Sequence, residues 1–145
     1  MFQSITPQEA HEKLTQASDF VYLDVRSVEE FSAGHPLAAK NIPILEFVPS
    51  SGRWLPNERF LDVMEAHFPK DTKLIVGCKS GGRSASACQV LAASGYKNLW
   101  NMDGGFSGRA DPGGRVLQPG WLTLGLPVEK DGPQESRYET LAKDV

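Results

Sequence analysis

The chain has 145 residues, of which 40% are hydrophobic and 23% are charged, a composition typical of one ordinary folded domain. Its net charge is −3, so it lacks the basic excess with which nucleic-acid-binding proteins displace counterions. No run approaches the roughly 20 apolar residues that cross a bilayer, and residues 1–12 lack the pattern of a secretory signal. We therefore expect no nucleic-acid partner, no membrane and a cytoplasmic location, where both cysteines would be free thiols.

The N-terminal half of the chain alternates amphipathic stretches with short apolar runs. Thr6 and Pro7 predict the start of a helix, because threonine caps helices and proline fits the first helical position. The apolar run at residues 20–23 predicts a buried strand, and Ser27 can cap a short helix beyond it. Asn57 is expected to open a helix with one apolar face, formed by Phe60, Leu61, Met64 and Phe68.

The clearest strand in the sequence, residues 73–76, leads directly towards Cys78. A helix is expected from Arg83 to Ser94, with Gly95 just past its end as the residue that closes it. Residues 97–100 predict a further strand. Strands that alternate with helices favour right-handed crossovers and a parallel sheet, so the predicted fold class is α/β.

The C-terminal part of the chain is less regular. From Asp103 to Gly120 glycine, proline and arginine are frequent, which predicts irregular structure. We place one domain at residues 4–128 and a polar tail at residues 129–145, for which the sequence leaves helix and disorder both open.

The loop between the predicted strand and helix carries the chemistry that the sequence predicts. In α/β sheets, ligands bind at the carboxyl ends of strands and at helix N-termini. Two adjacent glycines allow successive backbone N–H groups to point inward around an anion. We expect Cys78 to be the nucleophile and the following residues to bind the substrate, namely Lys79, Ser80, Gly81, Gly82, Arg83 and Ser84.

The charges around Cys78 favour its reactive form. A thiolate is the nucleophilic species, and it is stabilised by neighbouring cations and by a helix N-terminus. Lys79 and Arg83 supply the cations, so no external general base is required. The alternative is a small buried cysteine in a tight turn, and the combination of strand, cysteine, glycine pair, arginine and helix argues against it.

Several short segments, in their order along the chain, resemble the rhodanese family of sulfurtransferases over about residues 4–128. They are Leu23-Asp24-Val25-Arg26, Glu30-Phe31, Gly34-His35, Asn41-Ile42-Pro43, the loop from Cys78 to Ser84, Asp103-Gly104-Gly105-Phe106 and Gly125-Leu126-Pro127-Val128. The resemblance implies a three-layer domain with a central, mostly parallel sheet of about five strands flanked by helices. It also implies that Cys78 accepts sulfane sulfur from a small anionic donor such as thiosulfate. The resulting persulfide would pass the sulfur to a thiophilic acceptor such as cyanide or a thiol, and a protein could serve as the acceptor. We expect neither a cofactor nor a metal.

The sequence departs from the family pattern in two places. Gly34-His35-Pro36-Leu37-Ala38-Ala39 stands where the family usually has Gly-His-Ile-Pro-Gly-Ala. Residues 109–120 intervene before Trp121 as an insertion, and its Arg109 and Arg115 are expected to face solvent.

Two other functions stay open. The domain could carry a persulfide, or bind an anion, for a partner protein without turnover. It could also be a phosphatase or arsenate reductase, but such relatives place five residues between cysteine and arginine. Here four residues, 79–82, separate Cys78 from Arg83, and the smaller loop suits one terminal sulfur.

Three further residues are predicted to have structural roles. Cys88 is expected to be buried within its helix and not to act as a resolving thiol, since bridging it to Cys78 would be geometrically difficult. Asp24 and Arg26 end a strand on the ligand side, which leaves a role near the site open, but the family resemblance favours a structural hydrogen bond or ion pair with Glu30.

Overall fold

A computed structural model describes residues 2–145, which leaves Met1 outside the described residues. The first half of the chain contains, in order, β1 (Gln3–Ile5), α1 (Pro7–Gln16), β2 (Phe20–Asp24), α2 (Val28–Ala33), β3 (His35–Pro36), β4 (Lys40–Asn41), β5 (Leu45–Val48), β6 (Arg53–Pro56) and α3 (Phe60–His67). The second half contains β7 (Lys73–Gly77), α4 (Gly82–Ala93), β8 (Asn98–Met102), β9 (Arg109–Ala110), β10 (Val116–Gln118), β11 (Val128–Glu129), a 3-10 turn (Gln134–Ser136) and α5 (Tyr138–Leu141).

Two of the predicted helix starts are confirmed by reciprocal capping. The Thr6 hydroxyl accepts a hydrogen bond from the backbone N–H of Glu9, whose carboxylate accepts one from the N–H of Thr6. Ser27 and Glu30 form the same arrangement at α2. Each cap satisfies backbone donors that a helix start leaves without partners, so the local sequence is sufficient to place these helices.

The central sheet has five strands in the order β1-β8-β7-β2-β4, and all neighbouring strands are parallel. Successive side chains of a strand point to opposite faces, so the sheet separates two apolar cores. Leu74 and Val76 of β7 face the core that contains α3 and α4, whereas Ile75 faces the one that contains Ala10 of α1. The predicted α/β architecture is confirmed, and β7, with its loop to α4, lies in the middle of it.

Helix α3 begins later than the sequence predicts. Asn57 forms a turn before the helix instead of opening it, since its side chain accepts from the N–H of Arg59 and its carbonyl from the N–H of Phe60. The N–H of Asn57 itself bonds to the carbonyl of Ile44. Asn57 therefore closes a turn that ties α3 to the preceding chain, and the helix starts at Phe60.

The glycine-rich segment before Trp121 contains a short hairpin where irregular structure was expected, so that part of the prediction is wrong. β9 and β10 pair antiparallel. The Asp111 carboxylate accepts from the N–H groups of Gly113 and Arg115 and thereby closes the turn between them. This side chain supplies the turn geometry that was not evident from the composition alone.

Residues after β11 pack on the domain. Leu141 and Ala142 are buried in the same core as α3 and α4, and Arg59 donates to the carbonyls of Ala142 and Val145. Among residues 2–145, no helix has both the length and the apolar character needed to traverse a bilayer.

Candidate active site

Cys78 is the first residue after β7, at the carboxyl end of the sheet. Gly77 precedes it because a side chain there has no space: a Cβ on Gly77 would lie 1.8 Å from the hydroxyl oxygen of Tyr22. Cys78 itself is 2% exposed. The strand therefore delivers the thiol to the ligand-binding edge of the sheet while keeping it almost covered.

The sulfur of Cys78 has two polar neighbours, both from the predicted loop. The backbone N–H of Gly81 donates to Sγ at 3.1 Å, and the hydroxyl oxygen of Ser84 lies 3.3 Å from Sγ. Gly81 has a φ of +123°, which few residues other than glycine adopt, and α4 begins immediately after it. The loop thus turns back so that its backbone faces the sulfur.

A second segment, residues 103–108, fixes the loop from outside. The N–H groups of Phe106 and Ser107 donate to the carbonyls of Cys78 and Lys79, at 2.8 and 2.9 Å. Gly105 allows this approach, since a Cβ there would lie 2.5 Å from the Cys78 carbonyl oxygen. These contacts tie the Cys78 loop to the segment that follows β8.

Arg83 faces a carboxylate. Its guanidinium donates twice to Glu30, at 2.7 and 3.0 Å, and both side chains are partly buried. These hydrogen bonds, helped by the N–H and hydroxyl of Ser27, lower the pKa of Glu30 to about 2. Arg83 and Glu30 are therefore a charged pair beside the loop, and the pair carries no net charge at neutral pH.

The expected partnership of Asp24 and Arg26 with Glu30 is wrong, since those two residues pair with each other. Arg26 donates to both carboxylate oxygens of Asp24 and to the carbonyl of Gly34, and its guanidinium lies 4.6 Å from the ring centre of Phe106. Both charges are buried and paired with each other.

The structure brings together only part of the predicted substrate-binding set. Gly81 and Ser84 contact the sulfur, whereas Lys79, Ser80 and Gly82 are partly or largely exposed. A cavity of about 260 Å³ opens beside Lys79, and Arg26, Glu30, Phe106 and Ser107 also line it. In the insertion, Arg109 pairs with Asp103 at the surface and Arg115 is exposed, which confirms that both face solvent.

One residue of the site was not found by sequence reasoning. Asn101 lies on β8, next to β7 in the sheet, and its side-chain oxygen lies 2.5 Å from the Ser84 hydroxyl. It is 7% exposed. No motif of the sequence marks it, because its place beside the loop depends on the order of the strands.

The family of the chain follows from comparison with known proteins. A family model described as the rhodanese-like domain matches residues 6–110. The chain belongs to this family. The matched residues include β2, β4, β7 and β8 of the central sheet, the Cys78 loop and the start of the insertion, so the resemblance seen in the sequence is confirmed.

Relatives of this rhodanese-like domain carry several names. It is 44% identical over 92 residues to Protein HIGH ARSENIC CONTENT 1, mitochondrial, of Arabidopsis thaliana, an alignment that covers 63% of this chain and 53% of that protein. It is 40% identical over 92 residues to Thiosulfate sulfurtransferase 16, chloroplastic, of the same plant, which covers 63% and 75%. The crystal structure of Rv0390 from M. tuberculosis superposes with a TM-score of 0.67 at 31% identity, covering 88% of this chain and 97% of that one. The aligned region therefore spans about half of the first relative.

Proposed function

We propose that this rhodanese-like domain is a sulfurtransferase that moves sulfane sulfur from thiosulfate to a thiophilic acceptor through a persulfide on Cys78. The main support is the hydrogen bond from the Gly81 N–H to Sγ, at 3.1 Å. A backbone donor aimed at a covered sulfur favours a negative charge there, both on the thiolate and on the terminal sulfur of a persulfide.

The reaction has two displacements at sulfur. The Cys78 thiolate attacks the outer sulfur of thiosulfate, the S–S bond of thiosulfate breaks, and sulfite leaves with the electron pair. The product is a Cys78 persulfide anion. An acceptor such as cyanide then attacks the outer sulfur, thiocyanate leaves, and the Cys78 thiolate is regenerated, so no oxidant or reductant is consumed.

The charges in the site favour binding of a small anion. Lys79 is exposed at the rim of the cavity, where its ammonium group attracts a dianionic donor. The pairing of Arg83 with Glu30 leaves the backbone of the loop, and not the Arg83 guanidinium, as the nearest donor to the sulfur. This arrangement fits a ligand whose reacting atom is a single sulfur.

A phosphatase or arsenate reductase fits the site less well. Four residues separate Cys78 from Arg83, and Gly81, the third of them, already donates to the sulfur. A tetrahedral oxyanion needs several donors around three oxygens, and Arg83 is engaged by Glu30. The name of one relative refers to arsenic content, so arsenate belongs among the compounds tested.

Intact-mass measurement tests the proposal. Incubation with thiosulfate should add about 32 Da, the mass of one sulfur, and cyanide should remove it. Cys78→Ser should abolish the mass increase and the release of sulfite, whereas Cys88→Ala, a change of the chain's other cysteine, should leave both unchanged. Normal turnover of thiosulfate and cyanide by Cys78→Ser would contradict the proposal.

The same experiment separates the alternatives. Loading of sulfur without turnover by cyanide or any small thiol would support a persulfide carrier for a protein acceptor. Hydrolysis of an aryl phosphate that depends on Cys78, without sulfur loading, would support a phosphatase. Reduction of arsenate under the same conditions would support an arsenate reductase. A cytoplasmic location stays a prediction.

A further inference from the structure

A chain of three buried polar groups leads from the sulfur into the sheet. The Ser84 hydroxyl oxygen lies 3.3 Å from Cys78 Sγ on one side and 2.5 Å from the Asn101 side-chain oxygen on the other. It also lies 3.1 Å from the carbonyl oxygen of Gly81. Ser84 is fully buried and Asn101 is 7% exposed, so solvent has little access to these groups.

The direction of the Ser84 proton follows from the groups around it. A hydroxyl has one proton to donate, and an amide oxygen and a carbonyl can only accept. The Asn101 amide nitrogen faces the Gly81 carbonyl, at 3.4 Å, which turns the amide oxygen of Asn101 towards Ser84. Ser84 therefore donates away from Cys78, to an oxygen, and presents a lone pair to the sulfur.

This orientation favours the thiol over the thiolate. A Cys78 thiol can donate its S–H to the lone pair of Ser84, whereas a thiolate has no proton and needs a donor. Ser84 can become that donor only by turning its proton away from both oxygens, and of these the Gly81 carbonyl keeps a donor in the N–H of Ala85. The Asn101 oxygen would then lose its hydrogen bond in a buried position, which is unfavourable.

We propose that Asn101 is a positioning residue that sets the direction of the Ser84 hydroxyl and so opposes ionisation of Cys78. The inference rests on the proposed function in that ionisation of Cys78 begins sulfur transfer. On ionisation the proton of Cys78 passes to a base in solvent. Ser84 keeps its own proton, and only the direction of its O–H bond changes. The charged or titratable groups near the sulfur are Tyr22 of β2, the Asp24–Arg26 pair, Lys79 of the loop, the Arg83–Glu30 pair, Cys88 of α4 and the Asp103–Arg109 pair beyond Gly81.

The rate of Cys78 alkylation by iodoacetamide as a function of pH tests this role, in a background in which Cys88 is alanine. Asn101→Leu removes the nearer acceptor at similar volume. The Gly81 carbonyl that remains also accepts from the N–H of Ala85, so turning the Ser84 proton to the sulfur becomes less costly. The midpoint of the pH profile should fall by about one unit, so that alkylation below the midpoint is about tenfold faster. Asn98→Leu is the matched control, since Asn98 lies on the same strand and bonds to the carbonyl of Asp71, remote from Cys78.

A double-mutant comparison separates positioning from a general structural effect. In a Ser84→Ala protein, Asn101→Leu should no longer move the midpoint, because its effect passes through the hydroxyl. If Asn101→Leu does not fold, as judged by thermal unfolding, Asn101→Ala provides the same test. An unchanged or raised midpoint, or an equal shift in the Ser84→Ala protein, would overturn the proposal. Alkylation does not require sulfur transfer, so the two proposals can fail separately. If the midpoint shifts as predicted but thiosulfate adds no sulfur, the proposed function is rejected and the role of Asn101 stands.

Discussion

The two cysteines of the chain are equally hidden but have different surroundings. Cys78 is 2% exposed and Cys88 is 0% exposed, and both belong to the same apolar core. The sulfur of Cys78 has a backbone N–H and a hydroxyl as neighbours. Cys88 lies within α4, and burial raises the pKa of its thiol to about 12.

The comparison shows that solvent exposure does not distinguish Cys78, the proposed nucleophile, from Cys88. The difference lies in whether polar groups face the sulfur and could stabilise its negative charge. Cys78 has such a group, the N–H of Gly81, because β7 ends there and the chain must turn into α4. Cys88 lacks one because the backbone groups of a helix interior are bonded to each other. The following changes test this difference from the largest expected effect to the smallest.

The largest expected effect is the difference in reactivity between the two thiols. At pH 7 a thiol with a pKa of about 12 is ionised in about one molecule in 100,000. We expect iodoacetamide to modify Cys78 at least 100-fold faster than Cys88 in the native protein, as measured by mass spectrometry of the two cysteine-containing peptides. In denaturant the two rates should converge, and comparable native rates would show that the polar neighbours of Cys78 have no effect.

The loop conformation is tested by Gly105→Ala. The added Cβ would lie 2.5 Å from the Cys78 carbonyl oxygen, so the segment that fixes the loop must move. We expect a loss of about 2–4 kcal/mol in the free energy of unfolding and a severe loss of sulfur loading. Chemical denaturation and the intact-mass assay measure the two effects.

Gly125→Ala is the matched control for Gly105→Ala. Both glycines have positive φ, +58° at Gly105 and +71° at Gly125, but a Cβ at Gly125 would meet nothing within 4 Å. Gly125→Ala should therefore cost only about 1 kcal/mol from the backbone and retain sulfur loading. Equal losses in both variants would mean that backbone strain, and not contact with the loop, is responsible.

The ion pair beside the loop should appear in the pH dependence of stability. The pKa of Glu30 falls from its ordinary 4.5 to about 2 in the folded protein, mainly through hydrogen bonds from Arg83. The pair therefore stabilises the fold above about pH 4.5, and this contribution is lost as the pH falls towards 2. We expect Glu30→Gln to lower the free energy of unfolding at pH 7 by about 1–2 kcal/mol, a modest value because the pair is partly exposed.

Denaturation of both proteins between pH 7 and pH 2 provides the measurement. The difference between wild type and Glu30→Gln should shrink as the pH approaches 2. A difference that stays constant with pH would show that Glu30 acts through packing or through its hydrogen bonds to Ser27, and not through its charge.

The smallest expected effect concerns Lys79. Its exposed ammonium group attracts the donor without contacting the sulfur, so Lys79→Ala should slow loading by thiosulfate about two- to threefold at low salt. The effect should vanish near 0.5 M salt, where charges are screened within a few ångströms. Stopped-flow loading rates at two ionic strengths measure it, and Lys97→Ala, a lysine remote from the loop, is the control.

The predictions from sequence succeeded where a feature depends on neighbours along the chain. The caps at Thr6 and Ser27 use a partner three residues away, and Gly95 closes α4 with a φ of +98°. The order of β7, Cys78 and α4 is likewise local. The hairpin at residues 109–118 escaped prediction because one side chain, Asp111, makes the turn.

The sequence by itself determined the α/β class and the place of Cys78 in a glycine-containing loop between a strand and a helix, because residue types, glycine positions and apolar periodicity express these directly. Only the tertiary structure decided that Arg83 faces Glu30, that Gly105 packs against the Cys78 carbonyl, and that Asn101 reaches Ser84. In each of these contacts the two residues lie 17 to 53 positions apart along the chain. Asn101 also lies on β8, a different strand from the one that leads to Cys78. They meet because the parallel sheet places β8 and β2 on either side of β7, and that order is fixed by the packing of the whole domain.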